Sequence, residues 1–350
     1  MRWVHVLFFA LWAVANAFVV RPLLSLGTIG RSATPVLLRP SPKSSSPLWL
    51  SEQTRCDEYA MTELMKPRWG GPVTGPVVRY MNSILFGVVF GFLLGVLNSF
   101  EGVRVDVLLE KVLGRDKGRP LLTVSNHQSV LDDPGLWAVL LPYWRLGPEQ
   151  MRWSICTQDV FFASKFLQPM FGAGNVMPLN RTGSWEQPLF QRFHEKLVGG
   201  AWCHVFPEGR VWQNWRFQGD EARLGPFKPG VGKLIAHCPP GKDPIVIPMY
   251  HTGMDDVVPE VVLEAAVQRK KKRPSKPQSF VPATGNRIRY YIGQPMDFSA
   301  KIAAFREKYP GKLDAWNGVS EESVHLYFEI TRDIRDKVLE LEAEARGERD

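Results

Sequence analysis

The run PLLTVSN ends in Asn126 and is followed at once by His127, and Asp132 comes five positions after the histidine in NHQSVLDDP. A histidine where a strand gives way to a helix sits at the end of a sheet, where reactive groups are exposed rather than buried. Asp132 can accept a hydrogen bond from one ring nitrogen, which fixes the tautomer and leaves the other nitrogen to take a proton. His127 and Asp132 are therefore a candidate general base and its orienting carboxylate, although an aspartate at a helix start can also serve only its first turn. Phe206-Pro207-Glu208-Gly209-Arg210 follows the run AWCHVF and joins a carboxylate, a glycine with an approachable backbone N–H and a guanidinium. Arg181, after GNVMPLN, offers a planar fork for phosphate. The string IVIPMYHTGMDD sets Pro248 at the end of a third strand, beside His251. Polar groups at several strand ends suit a phosphorylated, hydroxyl-bearing substrate. A serine hydrolase is disfavoured because no G-x-S-x-G elbow occurs. Cys56, Cys156, Cys203 and Cys238 lack metal-ligand spacing, so neither a metal nor a disulfide framework is expected.

The elements that must position these groups alternate in the manner of an α/β domain. Strands are predicted over 120–126, 174–180, 201–206, 244–250 and 288–293. Helices are predicted over 134–141, 159–167, 185–198 and 230–237, with Pro188 in a first turn. From Ser320, a capping residue, apolar positions at Val324, Tyr327, Phe328, Thr331, Ile334, Val338 and Leu341 predict an amphipathic C-terminal helix. The run ILFGVVFGFLLGVL (84–97) is apolar throughout. Its fourteen helical residues reach about 21 Å of a roughly 30 Å hydrocarbon core, which leaves a tilted span, a re-entrant hairpin and an in-plane helix open. Gly87, Gly91 and Gly95 share one face and allow close helix packing.

The chain has 350 residues, 45% hydrophobic and 11% aromatic, which excludes disorder and allows a sizeable core. Its net charge of +8 is uneven, since Arg2, Arg21, Arg31, Arg39 and Lys43 precede the first acid, Glu52. The remaining chain is nearly balanced, so nucleic-acid binding rests on a sum that belongs to a leader. Val4 to Ala15 is apolar apart from His5, and Ala15-Asn16-Ala17 supplies small residues for signal cleavage. From Phe18 to about Leu50, Arg, Ser and Pro occur without acids, which is transit-peptide composition. Signal and transit segments in tandem resemble the bipartite leader of plastid proteins in algae with complex plastids. A mitochondrial or endoplasmic reticulum membrane is the alternative address. The expected organisation is a signal peptide (1–17), a transit-like leader (18–55), a membrane-anchoring segment (75–104), a catalytic domain (105–300) and a helical C-terminal extension (301–350). The basic run RKKKRPSKP (269–277) reads as a solvated loop able to touch anionic head groups.

NHQSVLDDP, PLNRTG, FPEGRV and IVIPMYHTGMDDVVP, in that order, resemble the four blocks of the glycerophospholipid acyltransferases, whose signature is NH-x4-D with FPEG. DDPGLW, the MRW string at 151–153 and HTGMDDVVP are similar to the tafazzin branch, the phospholipid–lysophospholipid transacylases that remodel cardiolipin. The resemblance implies a central sheet with flanking helices behind an N-terminal membrane-associated hydrophobic helix. It implies that His127, held by Asp132, deprotonates a lysophospholipid hydroxyl, with backbone N–H groups near Gly209 stabilising the oxyanion. Glu208 would order the acceptor site, and Asn126, Arg181, Gly209, Arg210 and Pro248 would complete a substrate site in which Arg181 and Arg210 take the head-group phosphate. No cofactor is implied, the acyl donor being a phospholipid, or acyl-CoA or acyl carrier protein in a lysophosphatidic acid acyltransferase. The partners implied are phospholipid and lysophospholipid at a membrane, and no nucleic acid. A non-catalytic membrane-binding protein with the same fold is the reading from another class. A plastid address would favour phosphatidylglycerol over cardiolipin.

Overall fold

The computed structural model describes residues 74–116, 118–141, 146, 150–157, 174–180, 184–217, 221–262, 275–277, 282–317 and 319–347. The leader, the helix expected over 159–167, Arg181 and the RKKKR run lie outside the described residues.

A sheet of seven described strands carries the site. They are β1 (Ser99–Val103), β2 (Leu121–Ser125), β3 (Trp153–Thr157), β4 (Val176–Leu179), β5 (Trp202–Val205), β6 (Ile245–Thr252) and β9 (Arg287–Ile292), in the order β1-β9-β6-β2-β5-β3-β4. Two further strands, β7 (Glu260–Val262) and β8 (Ser275–Pro277), pair antiparallel by themselves. The block from β6 to β4 is parallel, and β9 joins β6 antiparallel with β1 parallel to it. Both faces of the central strands are covered, which is why β2, β5 and β6 are buried along their whole length and are mostly apolar. β1 and β3 escape the pattern reading. β1 is an edge strand, SFEGV, with a glycine and mostly exposed positions, and WSICT in β3 mixes polar and apolar residues.

One face is covered by α1 (Thr74–Phe90), which continues as a π-helical turn over Gly91–Val96, with α2 (Val105–Leu113) and α3 (Asp132–Leu140). The glycine face of α1 meets α3 within the same chain. A Cβ on Gly91 would touch the Ala138 carbonyl at 3.5 Å and one on Gly95 would touch Val139 at 3.4 Å. No described helix is long and apolar enough to cross a membrane. The other face is covered by α4 (Pro188–Val198), α5 (Gly230–Ala236), α7 (Ser299–Lys308) and α8 (Glu321–Gly347), with the short α6 (Met254–Val257) following β6. α4 begins at Pro188 rather than at Trp185, because proline suits a first helical position and Gln187 turns its side chain back to bond the backbone of Asn180 and Ser184.

α8 is part of this core. Leu326, Tyr327, Ile330 and Ile334 pack in one cluster with Phe193 and Val231, and Ser320 Oγ accepts the Ser323 N–H at 3.3 Å as a cap. Phe328, expected on the apolar stripe, is 53% exposed, because the stripe in contact with the sheet and α5 passes through Tyr327 and Thr331 instead. α5 and α8 approach so closely that any Cβ on Gly232 would collide with the Tyr327 carbonyl. At the other edge, Arg104 donates from Nε to the Ile292 carbonyl at 2.7 Å and makes a bidentate pair with Glu344 at 2.8 and 2.7 Å, tying the end of β1 to β9 and α8.

Candidate active site

The polar ends of β2, β5 and β6 meet. Asn126 donates to the His251 carbonyl and accepts the His251 N–H, both at 2.9 Å, so the chain leaving β2 is fastened to the end of β6. The next residues wrap around Asp132. Its Oδ2 accepts the backbone N–H of Gln128 at 2.7 Å, that of Ser129 at 2.9 Å and His127 Nδ1–H at 2.9 Å. The four residues between histidine and aspartate are what allow one turn to bring the carboxylate beneath the ring. Asp132 is fully buried, which pushes its pKa up. The His251 imidazole and the bonds from His127 and His251 outweigh burial and carry it well below the usual carboxylate range.

His127 is fixed from other sides as well. Its carbonyl accepts the Trp212 N–H at 2.7 Å, its N–H donates to Glu208 Oε1 at 3.3 Å, and Phe206 stacks on its ring at 4.3 Å. With Nδ1 engaged, Nε2 is the nitrogen left for a substrate, and His127 lines a cavity of about 600 Å³. The walls are apolar, among them Trp137, Leu146, Met151, Val176, Phe190 and Leu234, and α1 adds Phe86 and Gly87. One buried ion pair interrupts them. Asp133 precedes Pro134, which forces it out of helical geometry to φ −117°, ψ 117°, and its carboxylate accepts from Trp137 Nε1 at 3.0 Å and from Arg152 Nε at 2.6 Å.

Of the residues expected at the site, His127, Gly209 and Arg210 line the cavity. Gly209 has φ +66°, and a Cβ there would come within 2.7 Å of Lys228 Cε, so only glycine fits this turn. Its own N–H donates to the Phe206 carbonyl at 3.1 Å. Glu208 is 3% exposed and points under the His127 peptide instead of lining the cavity. Burial pushes its carboxyl well up, against the opposing pull of the His127 and Gly225 backbone bonds. Pro248 is inside β6, paired with Val124, because the strand runs on to Thr252 along its antiparallel partner β9. Neither Pro248 nor Asn126 lines the cavity. Pattern reasoning missed Lys228, Arg152 and Asp133 on the cavity wall and the approach of His251 to Asp132. A lone lysine in the apolar stretch GPFKPGVG and a histidine directly after the apolar run IVIPMY were the available signals.

A histidine bonded to a buried aspartate at the end of the sheet thus opens on a cavity with mostly apolar walls. Residues 106–252 match the family model described as Acyltransferase. The chain is similar to N-acylphosphatidylethanolamine synthase of Arabidopsis thaliana, 33% identical over 199 residues that cover 57% of this chain and 63% of that protein. It is also similar to tafazzin of Drosophila melanogaster, 33% identical over 63% of this chain and 52% of that protein. Tafazzin of Saccharomyces cerevisiae is 26% identical over 71% and 72% respectively. The chain thus spans between about half and two-thirds of the length of the first two. Among solved structures, the lysophosphatidic acid acyltransferase PlsC of Thermotoga maritima superposes with a TM-score of 0.42 at 15% identity, covering 82% of this chain and 92% of that one. The chain carries an acyltransferase domain. By sequence it is similar to the tafazzins.

Proposed function

We propose that the protein moves a fatty acyl chain between a phospholipid and a lysophospholipid, with His127 as general base oriented by Asp132. The observation that carries this reading is His127 itself, bonded at Nδ1 to a buried carboxylate and opening on an apolar cavity with Arg210 and Lys228 in its wall. Nε2 takes the proton of the lysophospholipid hydroxyl as that oxygen attacks the acyl carbonyl. The donor ester C–O bond then breaks, and the departing oxygen takes the proton back from the imidazolium. The apolar walls hold the acyl chain and Arg210, with Arg181, meets the head-group phosphate. Lys228, whose side chain crosses Gly209 in the cavity wall, supports placing a cation near the carbonyl oxygen where charge develops.

Purified protein incubated with a lysophospholipid and acyl-labelled cardiolipin or phosphatidylglycerol is expected to move label without a thioester. Transfer only from acyl-CoA or acyl carrier protein would replace the donor half of the reading. Activity from no donor would leave a membrane-binding protein that keeps the fold. The Arabidopsis relative's name adds an arm with phosphatidylethanolamine, where an N-acyl product would move the acceptor from hydroxyl to amine.

The substrates place the enzyme at a bilayer, and α1 supplies the surface. Met81, Val88, Phe92 and Val96 lie on one side of the helix with exposures of 44%, 55%, 55% and 68%, next to Phe86 and Gly87 in the cavity wall. This ridge docks in the interface so that a lipid enters the cavity without crossing water. The protein is expected to float with phospholipid vesicles in a density gradient, and Val88→Glu with Phe92→Glu to remain at the bottom. Undiminished flotation of the double variant would remove this surface from the account.

A further inference from the structure

Asp132 faces a second histidine. His251, the penultimate residue of β6, is wholly buried and brings Nε2 to 3.2 Å from Asp132 Oδ2, the oxygen that His127 Nδ1–H reaches at 2.9 Å. Its ring stacks on Tyr290 at 4.9 Å and 13°, and its backbone is held by Asn126 in both directions. Neither ring nitrogen makes a hydrogen bond of regular geometry among the described residues, Nε2 lying within ion-pair distance of Asp132, and the ring does not line the cavity. Burying an imidazole with an unpaired nitrogen is unfavourable, and an apolar side chain would fill the space without that cost.

We propose that His251 is a positioning residue for the reaction, its Nε2 edge held against Asp132 Oδ2 so that the carboxylate sits between two imidazoles and presents a fixed lone pair to His127. His251 acts on the reacting ring only through Asp132, and the proposal rests on the reading of His127 as the base. The other titratable groups that face this cluster are His204 from β5, Glu208 from the loop after it, Asp255 from α6 and Tyr290 from β9. Burial disfavours the charged form of each of these four.

Loss of the second imidazole leaves more of the Asp132 charge to stabilise the His127 imidazolium, which favours protonated His127. In His251→Phe, kcat is therefore expected to fall about tenfold, and the acid limb of the pH–rate profile to move to higher pH. In His251→Gln, whose amide nitrogen reaches as far as Nε2, both return toward wild type. His251→Asn is too short to reach Asp132 and is expected to behave as His251→Phe does, which keeps the comparison available if the phenylalanine variant does not fold. An unmoved acid limb in the folded Phe or Asn variant, or a Gln variant no better than Asn, overturns the proposal. His127→Ala measured alongside separates the two failures. An inactive His127→Ala with an indifferent His251 refutes the clamp alone, and an active His127→Ala refutes the base on which it rests.

Discussion

Purified His127→Ala protein is expected to transfer acyl chains roughly 10²- to 10⁴-fold more slowly than the parent, the range a positioned general base contributes. Fold and stability should hold, because the ring is a cavity-lining group whose neighbours are fixed by bonds to its backbone, from Trp212 N–H and to Glu208 Oε1. Asp132→Asn is expected to show a loss of similar order for a different reason. The amide can offer an N–H where Nδ1–H and two backbone N–H groups all need an acceptor, so the ring turns or changes tautomer. Initial rates under saturating lysophospholipid check both. A His127→Ala enzyme within tenfold of wild type would exclude proton abstraction at this ring.

Arg152→Met is expected to destabilise the protein by about 3–5 kcal/mol, the usual consequence of stranding one member of a buried ion pair. The side chains of Arg152 and Asp133 are only 8% and 12% exposed, and without Arg152 the Asp133 carboxylate would keep the neutral Trp137 Nε1–H as a donor. Removing both charges together, in Arg152→Met with Asp133→Leu, should recover most of the loss, since a packed apolar pair leaves no uncompensated charge. Denaturant midpoints for the two single variants and the double variant form the cycle that tests this. An Arg152→Met protein within 1 kcal/mol of the parent would show that water reaches Asp133.

The chemistry of this site was more legible than its walls. Short-range spacing found His127 and Asp132, because five residues of one turn settle their geometry before the sheet is considered. The FPEGR string marked Gly209 and Arg210, which do line the cavity, and Glu208, which braces His127 from beneath. Pro248 misled because a proline resembles a strand end, whereas here β6 exchanges one neighbour for another and continues to Thr252. What stayed hidden depends on pairings across the chain. His251 reaches Asp132 from 119 positions away only because β6 lies beside β2, and Arg152 reaches Asp133 from the far side of the cavity. β1 was invisible for the same reason. Its residues are extended because β9 is there to pair with them, and their own composition is that of an exposed edge.

The clasp between Arg104 and Glu344 joins residues 240 positions apart, and β1 finds its partner only when β9 exists. A ribosome making this chain therefore releases an open sheet. β2 waits for β5 and β6, the edge waits for Arg287–Ile292, and the second face waits for α8. Pairings this remote are slow to form, since loop closure precedes any gain from contact. During synthesis the apolar 84–97 run and the strands β2 to β5 remain uncovered, surface that is prone to aggregate until the later elements arrive. Because His251 reaches Asp132 only from β6, that contact forms with the same late closure.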